Sequence, residues 1–306
     1  MITGKRPKGD KDRQKKPTLQ ESCRVLVKIE VLLLSHFGMK AAKEISLVKA
    51  KKGDFLALKS GERPLVKTAY RSILSSVIAR YKFASDFATG KNVLDIGCGT
   101  GIGLQFLAES AHMVVGVDYS EETIAYARKN NDKGNLSFKV MDCRNLKFDD
   151  GKFDLVTSFN LIEHIHGQED FVQEVKRVLK PDGIFICSTP NTKVFNPGGQ
   201  YYHFHVHEFT LSEIKLLIEK YFKKVRIFGQ AYKSAEANIL FHPLNKYLYR
   251  LKELSGPLKA VFPLIRIIVI YLIFGEKPSD VTEENCPITP DKPESAPTLV
   301  VVARNT

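Results

Sequence analysis

Closely spaced cysteines are absent from this sequence. Its five cysteines, Cys23, Cys98, Cys143, Cys187 and Cys286, are odd in number, widely separated and without a CxxC pair. Neither a disulfide framework nor a thiolate zinc site is expected, and a reducing, cytoplasmic compartment fits. No secretory leader is expected either, because the first residues are charged and no apolar run with a small-residue cleavage site follows. A transmembrane helix needs about 20 consecutive apolar residues, and the most apolar stretch, residues 260–274, is interrupted by Pro263 and Arg266. There is no internal repeat, and no low-complexity tract beyond the N-terminal residues.

What the chain does have is 306 residues with 43% apolar content and a net charge of +12. This is an ordinary water-soluble composition, long enough for one large domain with extensions. The basic excess is uneven: Lys5, Arg6, Lys8, Lys11, Arg13, Lys15 and Lys16 face only Asp10 and Asp12. Residues 1–20 are therefore expected to be a disordered basic tail. The charge also keeps RNA and an anionic membrane surface among the partners to be considered. Residues 21–68 are expected to form an N-terminal extension, in which Val25, Val27, Ile29, Val31 and Leu33 alternate like a strand while Leu26, Ile29 and Leu33 also suit a helix.

From residue 69 the pattern becomes regular. Ile73, Leu74, Val77, Ile78, Tyr81, Ala84 and Phe87 recur at threes and fours, which predicts an amphipathic helix over 69–89 with Phe83 to one side of the stripe. Strands predicted at 92–96, 113–117, 136–140, 153–159 and 184–188 alternate with helices at 102–110, 120–129 and around Phe171, Val172, Val175, Val178 and Leu179. That rhythm implies a doubly wound α/β fold with a mostly parallel sheet. Lys180-Pro181-Asp182-Gly183 reads as a turn. Thr210-Leu211-Ser212-Glu213 reads as a capping box opening a helix to Phe222, followed by strand 225–228. Residues 231–297 break the rhythm and are expected to be a cap insertion, with the final strand in 298–306. Within the cap, the apolar run at 260–274 follows Lys246, Arg250, Lys252 and Lys259, so it suits a buried cap helix, a dimer contact or an anionic membrane surface.

The first strand runs into Asp95-Ile96-Gly97-Cys98-Gly99-Thr100-Gly101. Clustered glycines let the backbone turn sharply and approach a ligand that a Cβ would exclude. A dinucleotide fingerprint would need GxGxxG or GxGxxA, but Ile102 stands in the third position, and the frames from Gly99 and Gly101 fail at Leu104 and Phe106. A pyrophosphate is thus disfavoured. A sulfonium cofactor carrying an amino acid needs instead a carboxylate near its ammonium, a role that suits Asp95. Asp118, 23 residues after Asp95, stands near the spacing at which an acidic residue accepts from ribose hydroxyls. Asp142 follows the third strand and is placed to accept from an adenine amino group. All three carboxylates are predicted at carboxyl ends of strands, where open α/β sheets bind ligands.

On these residues the chain resembles the class I S-adenosylmethionine-dependent methyltransferases over about 70–230 plus the last strand. The resemblance is carried by the glycine motif, Asp118, Val140-Met141-Asp142-Cys143, Phe153-Asp154-Leu155-Val156, Leu161-Ile162-Glu163-His164-Ile165 and Leu179-Lys180-Pro181-Asp182-Gly183. It implies S-adenosylmethionine as cofactor and a Rossmann-like seven-stranded sheet whose last strand is antiparallel. It also implies that Asp95, Gly97, Cys98, Gly99 and Gly101 hold the methionine part. Asp118 with Tyr119 would hold the ribose side, and Asp142 with the Cys143 backbone the adenine, with Phe159 near the cofactor. Residues 79–89 and Phe204-His205-Val206-His207-Glu208-Phe209-Thr210 are similar to segments of the subset that methylates glycans and related small molecules.

Glu163 and His164 follow the fourth strand, at the level expected for the transferring methyl group, and histidine is the usual base near neutral pH. His164, with Glu163, is accordingly the catalytic candidate for a hydroxyl acceptor; orienting the loop is the alternative role of the pair. His203, His205 and His207 alternate and would share one face of an extended segment, which makes His205 and His207 candidates for substrate contact. No Asp or Cys accompanies them at ligand spacing, so no metal site is expected. The expected function is O-methylation of a glycan, lipid-linked or other small-molecule acceptor by a cytoplasmic or peripheral membrane enzyme. An RNA methyltransferase and a non-catalytic cofactor-binding scaffold are the alternatives.

Overall fold

The computed structural model describes residues 71–195, 205–232 and 282–306. The basic tail, the N-terminal extension and residues 233–281 of the expected cap, including the apolar run at 260–274, lie outside the described residues. Helix α1, Arg71–Ser85, leads into strand β1, Asn92–Ile96. Helix α2, Leu104–Leu107, strand β2, Met113–Asp118, helix α3, Glu121–Asn130, and strand β3, Leu136–Val140, complete the first half. The second half holds β4, Phe153–Phe159, α4, Gln168–Val178, β5, Leu179–Pro190, and α5, Thr192–Phe195. It continues with α6, Leu211–Glu219, β6, Lys224–Gln230, β7, Ile288–Thr289, and β8, Thr298–Arg304.

The eight strands form one sheet in the order β3-β2-β1-β4-β5-β8-β6-β7. The first five neighbours run parallel, and β8 enters antiparallel between β5 and β6, as expected for the last long strand. Both faces are covered. Along β1, Leu94 and Ile96 join one apolar cluster with Val156, Phe171, Val175 and Phe185, whereas Val93 joins the opposite one with Tyr81, Leu104, Ile124 and Leu155. Alternation between two buried faces is the signature of a sheet with helices on both sides. Helix α4 shows why its sequence folds this way: Phe171, Val172, Val175 and Val178 are its buried positions, a single stripe at helical spacing. The capping box at Thr210 forms as expected, with the Glu213 amide donating to Thr210 Oγ1 and the Thr210 amide to Glu213.

The chain leaves β1 for β2 and β3 on one side and returns to β4 and β5 on the other. The carboxyl ends of β1 and β4 therefore flank the topological switch point, where this class of sheet opens a ligand crevice. Buried polar contacts fix α1 across this region: Arg80 Nη1 donates to Gln230 Oε1 at 2.6 Å, and Gln230 Nε2 donates to the Ser76 carbonyl at 2.9 Å.

Three expectations are corrected. The helix expected over 102–110 shrinks to Leu104–Leu107, between turns in which Gly101 is left-handed at φ 77° and Ser110 N donates to the Leu107 carbonyl at 3.4 Å. The sheet has eight strands rather than seven, because β7 adds two residues to β6 through Gly229 and Gln230. Within 282–297 the chain lies along the β6 edge, and Ala231 N donates to the Pro287 carbonyl at 3.0 Å. Such cover blunts an otherwise exposed edge. Finally, the turn at 180–183 sits inside β5 as a bulge, with register passing from Phe153↔Leu179 to Leu155↔Ile184 and Asp182 at φ 61°.

Candidate active site

The glycine motif folds as a tight turn at the end of β1. Its amides are largely committed within the protein: Gly97 N and Cys98 N donate to the Val117 carbonyl at 2.8 and 3.0 Å, and Gly101 N donates to the Cys98 carbonyl at 3.0 Å. Gly99 N donates to Asp118 Oδ2 at 3.1 Å. With these donors engaged and only a four-residue helix behind them, the turn is not a phosphate cradle. Gly99 adopts φ 53°, and a Cβ built on it meets no described residue within 4 Å. The turn thus presents bare backbone to open space at the switch point. Cys98 contributes backbone alone, since its side chain is buried in the cluster around Tyr81 and Phe138.

Asp95 lies beneath this turn, fully buried. Tyr81 Oη donates to its Oδ2 at 2.8 Å, and Thr157 Oγ1 donates to its Oδ1 at 2.6 Å. Burial pushes the carboxyl up to about 7, against the opposing pull of the Thr157 and Tyr81 hydrogen bonds. Burial likewise raises Tyr81 well above the ordinary phenol range, with the Asp95 charge adding to it. Phe159 meets the Tyr81 ring edge-on with centroids 4.9 Å apart. Tyr81 is thus the centre of the inner wall. In the sequence it was visible only as one apolar position of a helical stripe, and Thr157 as one residue of a strand.

Asp118 closes the second strand and is 6% exposed. Besides Gly99 N, its Oδ1 accepts from Ser120 N at 3.0 Å, so one carboxylate joins the glycine turn to the start of α3. Beside it, the Tyr119 side chain is 71% exposed. Across β3, Asp142 is gripped by Arg144, with Nη2 to Oδ2 at 2.8 Å and Nε to Oδ1 at 3.1 Å. Hydrogen bonds from Arg144 hold the Asp142 carboxyl down at about 2. Burial pushes the neighbouring Cys143 thiol up to about 12, so Cys143 is a neutral, unreactive wall residue.

On the other side of the crevice, Asn160 ends β4 in the left-handed region at φ 51°, which asparagine tolerates better than most residues. It turns the chain into a short 3₁₀ helix, Ile162–His164. Glu163 is completely buried, and among the described residues neither carboxylate oxygen has a partner at full hydrogen-bonding geometry. Burial raises its carboxyl above the ordinary range, opposed by the nearby His164, its own backbone amide, His205 and the Asn160 side chain. Its carbonyl accepts from Val206 N at 2.7 Å, which pins the following segment in place. His164 Nε2 is 3.8 Å from Glu163 Oε1, and the His164 and His205 rings meet edge-on at 4.9 Å.

His205 and His207 therefore do not act as one face. His205 Nδ1 pairs with Glu208 Oε1 at 2.9 Å, whereas His207 packs on Phe209 at 4.5 Å and points to Glu213 at 3.9 Å. The segment around them is not a strand, so alternation with period two does not apply. His203 lies outside the described residues. The structure brings His205, but not His207, to Glu163 and His164.

Residues 94–187 match the methyltransferase domain family. The chain is 36% identical over 141 residues to a protein of Mycolicibacterium smegmatis named an S-adenosylmethionine-dependent methyltransferase, covering 45% of this chain and 54% of that one. It is 35% identical over 112 residues to a ubiquinone biosynthesis O-methyltransferase of Actinobacillus pleuropneumoniae, covering 33% and 47%. The chain thus spans about half the length of the curated relatives it matches. Among solved structures, a chain from the complex between the Haloferax volcanii Trm112 methyltransferase activator and its methyltransferase partner is similar in fold. The TM-score is 0.50 at 19% identity, over 83% of this chain and 97% of that one. An S-adenosylmethionine-dependent methyltransferase from Thermotoga maritima gives 0.50 at 16% identity, over 77% and 94%.

Proposed function

We propose that this chain is an S-adenosylmethionine-dependent methyltransferase acting on an oxygen of a small-molecule acceptor, glycans and lipid-linked molecules included. The observation that carries the reading is the open face of Gly99, flanked by the Asp95 and Asp118 carboxylates at adjoining strand ends. The residues fit the cofactor. A cationic amino acid matches the buried acid Asp95, and ribose hydroxyls match Asp118, a carboxylate acceptor at the end of β2. The exposed Tyr119 ring, Asp142 and the Cys143 backbone would bound an adenine, with Gly97, Cys98 and Gly101 shaping the turn and Phe159 the inner wall.

Bound there, the cofactor supplies a methyl carbon on a positively charged sulfur, which leaves as a neutral thioether. The protein's own work is to align the acceptor and exclude water; alignment alone is worth about 7–11 kcal/mol. An acceptor hydroxyl must also lose its proton. The Glu163–His164 pair, at the end of the strand beside β1, is the proposed place for that loss, with His164 taking the proton and His205 contacting the acceptor. Similarity to an O-methyltransferase over a third of the chain supports oxygen as the acceptor atom.

Purified protein incubated with labelled S-adenosylmethionine and separate polar-metabolite, lipid and RNA extracts tests the reading. Label in metabolites or lipids is expected. Label in RNA alone would replace the acceptor class. Label in none, with S-adenosylhomocysteine still bound in calorimetry, would make the protein a cofactor-binding scaffold.

A further inference from the structure

Glu163 poses a problem that the methyltransferase reading leaves unsolved. A buried carboxyl without well-formed hydrogen bonds costs about 1–3 kcal/mol or more, and among the described residues neither Glu163 oxygen has a partner at full hydrogen-bonding geometry. One ligand atom from each of Glu163, His164 and His205 lies within 4.8 Å of the others. The Glu163 Oε1 to His164 Nε2 separation of 3.8 Å is too long for a hydrogen bond. It is close to the roughly 3.4 Å between two ligands that share a tetrahedral cation through bonds of about 2.1 Å. We propose that Glu163, His164 and His205 form a binding site for a divalent transition cation of the zinc class.

A second observation points the same way. A histidine that binds a metal through one nitrogen characteristically donates its other N–H to a carboxylate, which fixes the ring and the tautomer. His205 Nδ1 is 2.9 Å from Glu208 Oε1, and Glu208 is itself fixed by Thr192 Oγ1, which donates to its Oε2 at 3.0 Å. A proton on Nδ1 leaves the lone pair on Nε2. Two neutral imidazoles and one carboxylate make a site of single negative charge that favours zinc over magnesium. Three protein ligands leave a fourth position for an exchangeable oxygen, as in catalytic rather than structural zinc sites. The glutamate and its adjacent histidine precede His205 by some forty residues, which is why local spacing in the sequence gave no sign of the set.

The inference deepens the proposed reaction and rests on it for its purpose. In the cation-loaded protein His164 is a ligand, and the positive charge favours loss of the acceptor's hydroxyl proton to solvent. The methyl group then moves to that oxygen as its bond to sulfur breaks, so charge and atoms balance.

Tag-free protein stripped with a chelator is titrated with zinc, manganese or magnesium chloride by calorimetry, and cobalt loading is followed by its visible absorption. One equivalent of zinc is expected, with manganese weaker and magnesium weakest. Glu163→Gln and His205→Ala should each lower zinc affinity at least about tenfold, and Glu208→Gln, which keeps the fold, by about 10–100-fold. Zinc binding that is absent, or unchanged in all three folded variants, overturns the site. S-adenosylhomocysteine titrations run alongside separate the two proposals. Zinc bound without cofactor binding would leave the site and remove the methyltransferase reading, whereas full turnover in cation-free protein that binds no zinc would do the reverse.

Discussion

Replacing Asp95 by asparagine tests the inner wall of the site through its pH dependence. The Asp95 carboxyl is raised from 3.8 to about 7 by burial. Below about pH 4 both folded and unfolded chains hold its proton, and this group has no effect on stability. Between about 4 and 7 the unfolded chain ionises while the folded one does not, so stability falls as pH rises. Above about 7 the loss is complete at roughly 4 kcal/mol, from 1.36 kcal/mol per unit. Between pH 5 and pH 8 this amounts to about 2.5 kcal/mol.

Asparagine keeps the shape without the charge. Tyr81 would go on donating to the side-chain oxygen, and the Thr157 hydroxyl, already 3.5 Å from the Leu94 carbonyl, would donate there while accepting from the new amide. Asp95→Asn should therefore fold, and its melting temperature should gain on the wild type by about 5–10 °C between pH 5 and pH 8. Saturating S-adenosylhomocysteine should flatten the wild-type slope, because the ammonium favours the ionised acid, and should bind the variant about 10–100-fold more weakly. Melting curves over that pH range, with and without ligand, decide the matter. Parallel slopes in the two proteins would show that Asp95 is not the titrating group and would refute the argument.

Asp118→Ala should weaken S-adenosylmethionine binding by about 1.5–3 kcal/mol, the range for hydrogen bonds to a charged group; unchanged affinity in calorimetry would remove Asp118 from the site. Gly99→Ala places a methyl group in the open face at an unfavourable φ, so cofactor affinity should fall at least about tenfold for a stability loss of only about 1–2 kcal/mol. Equal affinity in the two proteins would show that the cofactor does not lie against Gly99. His164→Ala should lower turnover by about 10²–10⁴ with cofactor affinity within a few fold, whether His164 takes the proton or holds a cation; near-normal turnover with the identified acceptor would exclude both roles.

The sequence disclosed most where one local rule acts alone. Strands Asn92–Ile96 and Phe153–Phe159 were legible to the residue because buried apolar runs bounded by turn residues leave little choice of conformation, and Leu136–Val140 because apolar and polar residues alternate along it. The Ser120 cap and the Thr210 capping box were legible for the same reason, since each involves residues within one turn of helix. Asp118 could be found from its distance to the glycine motif, because a βαβ unit has a nearly fixed length.

What stayed hidden depends on groups that meet across the fold. Tyr81 reaches Asp95 because α1 lies on the sheet face to which Asp95 points; in a helical stripe, a tyrosine whose ring packs and whose hydroxyl serves a buried acid looks like any other core aromatic. The same ring lies so close to Gly103 that a Cβ there would stand 2.0 Å from it, a contact that no propensity contains. The histidines show the limit most directly. Alternation placed His205 and His207 together, but the backbone between them is held by Glu163, whose carbonyl takes the Val206 and His207 amides, and that grip sends the two rings to different partners. The same grip brings His205 to the buried Glu163. One backbone contact between distant segments thus overrides a local period and assembles the cluster on which the proposed chemistry depends.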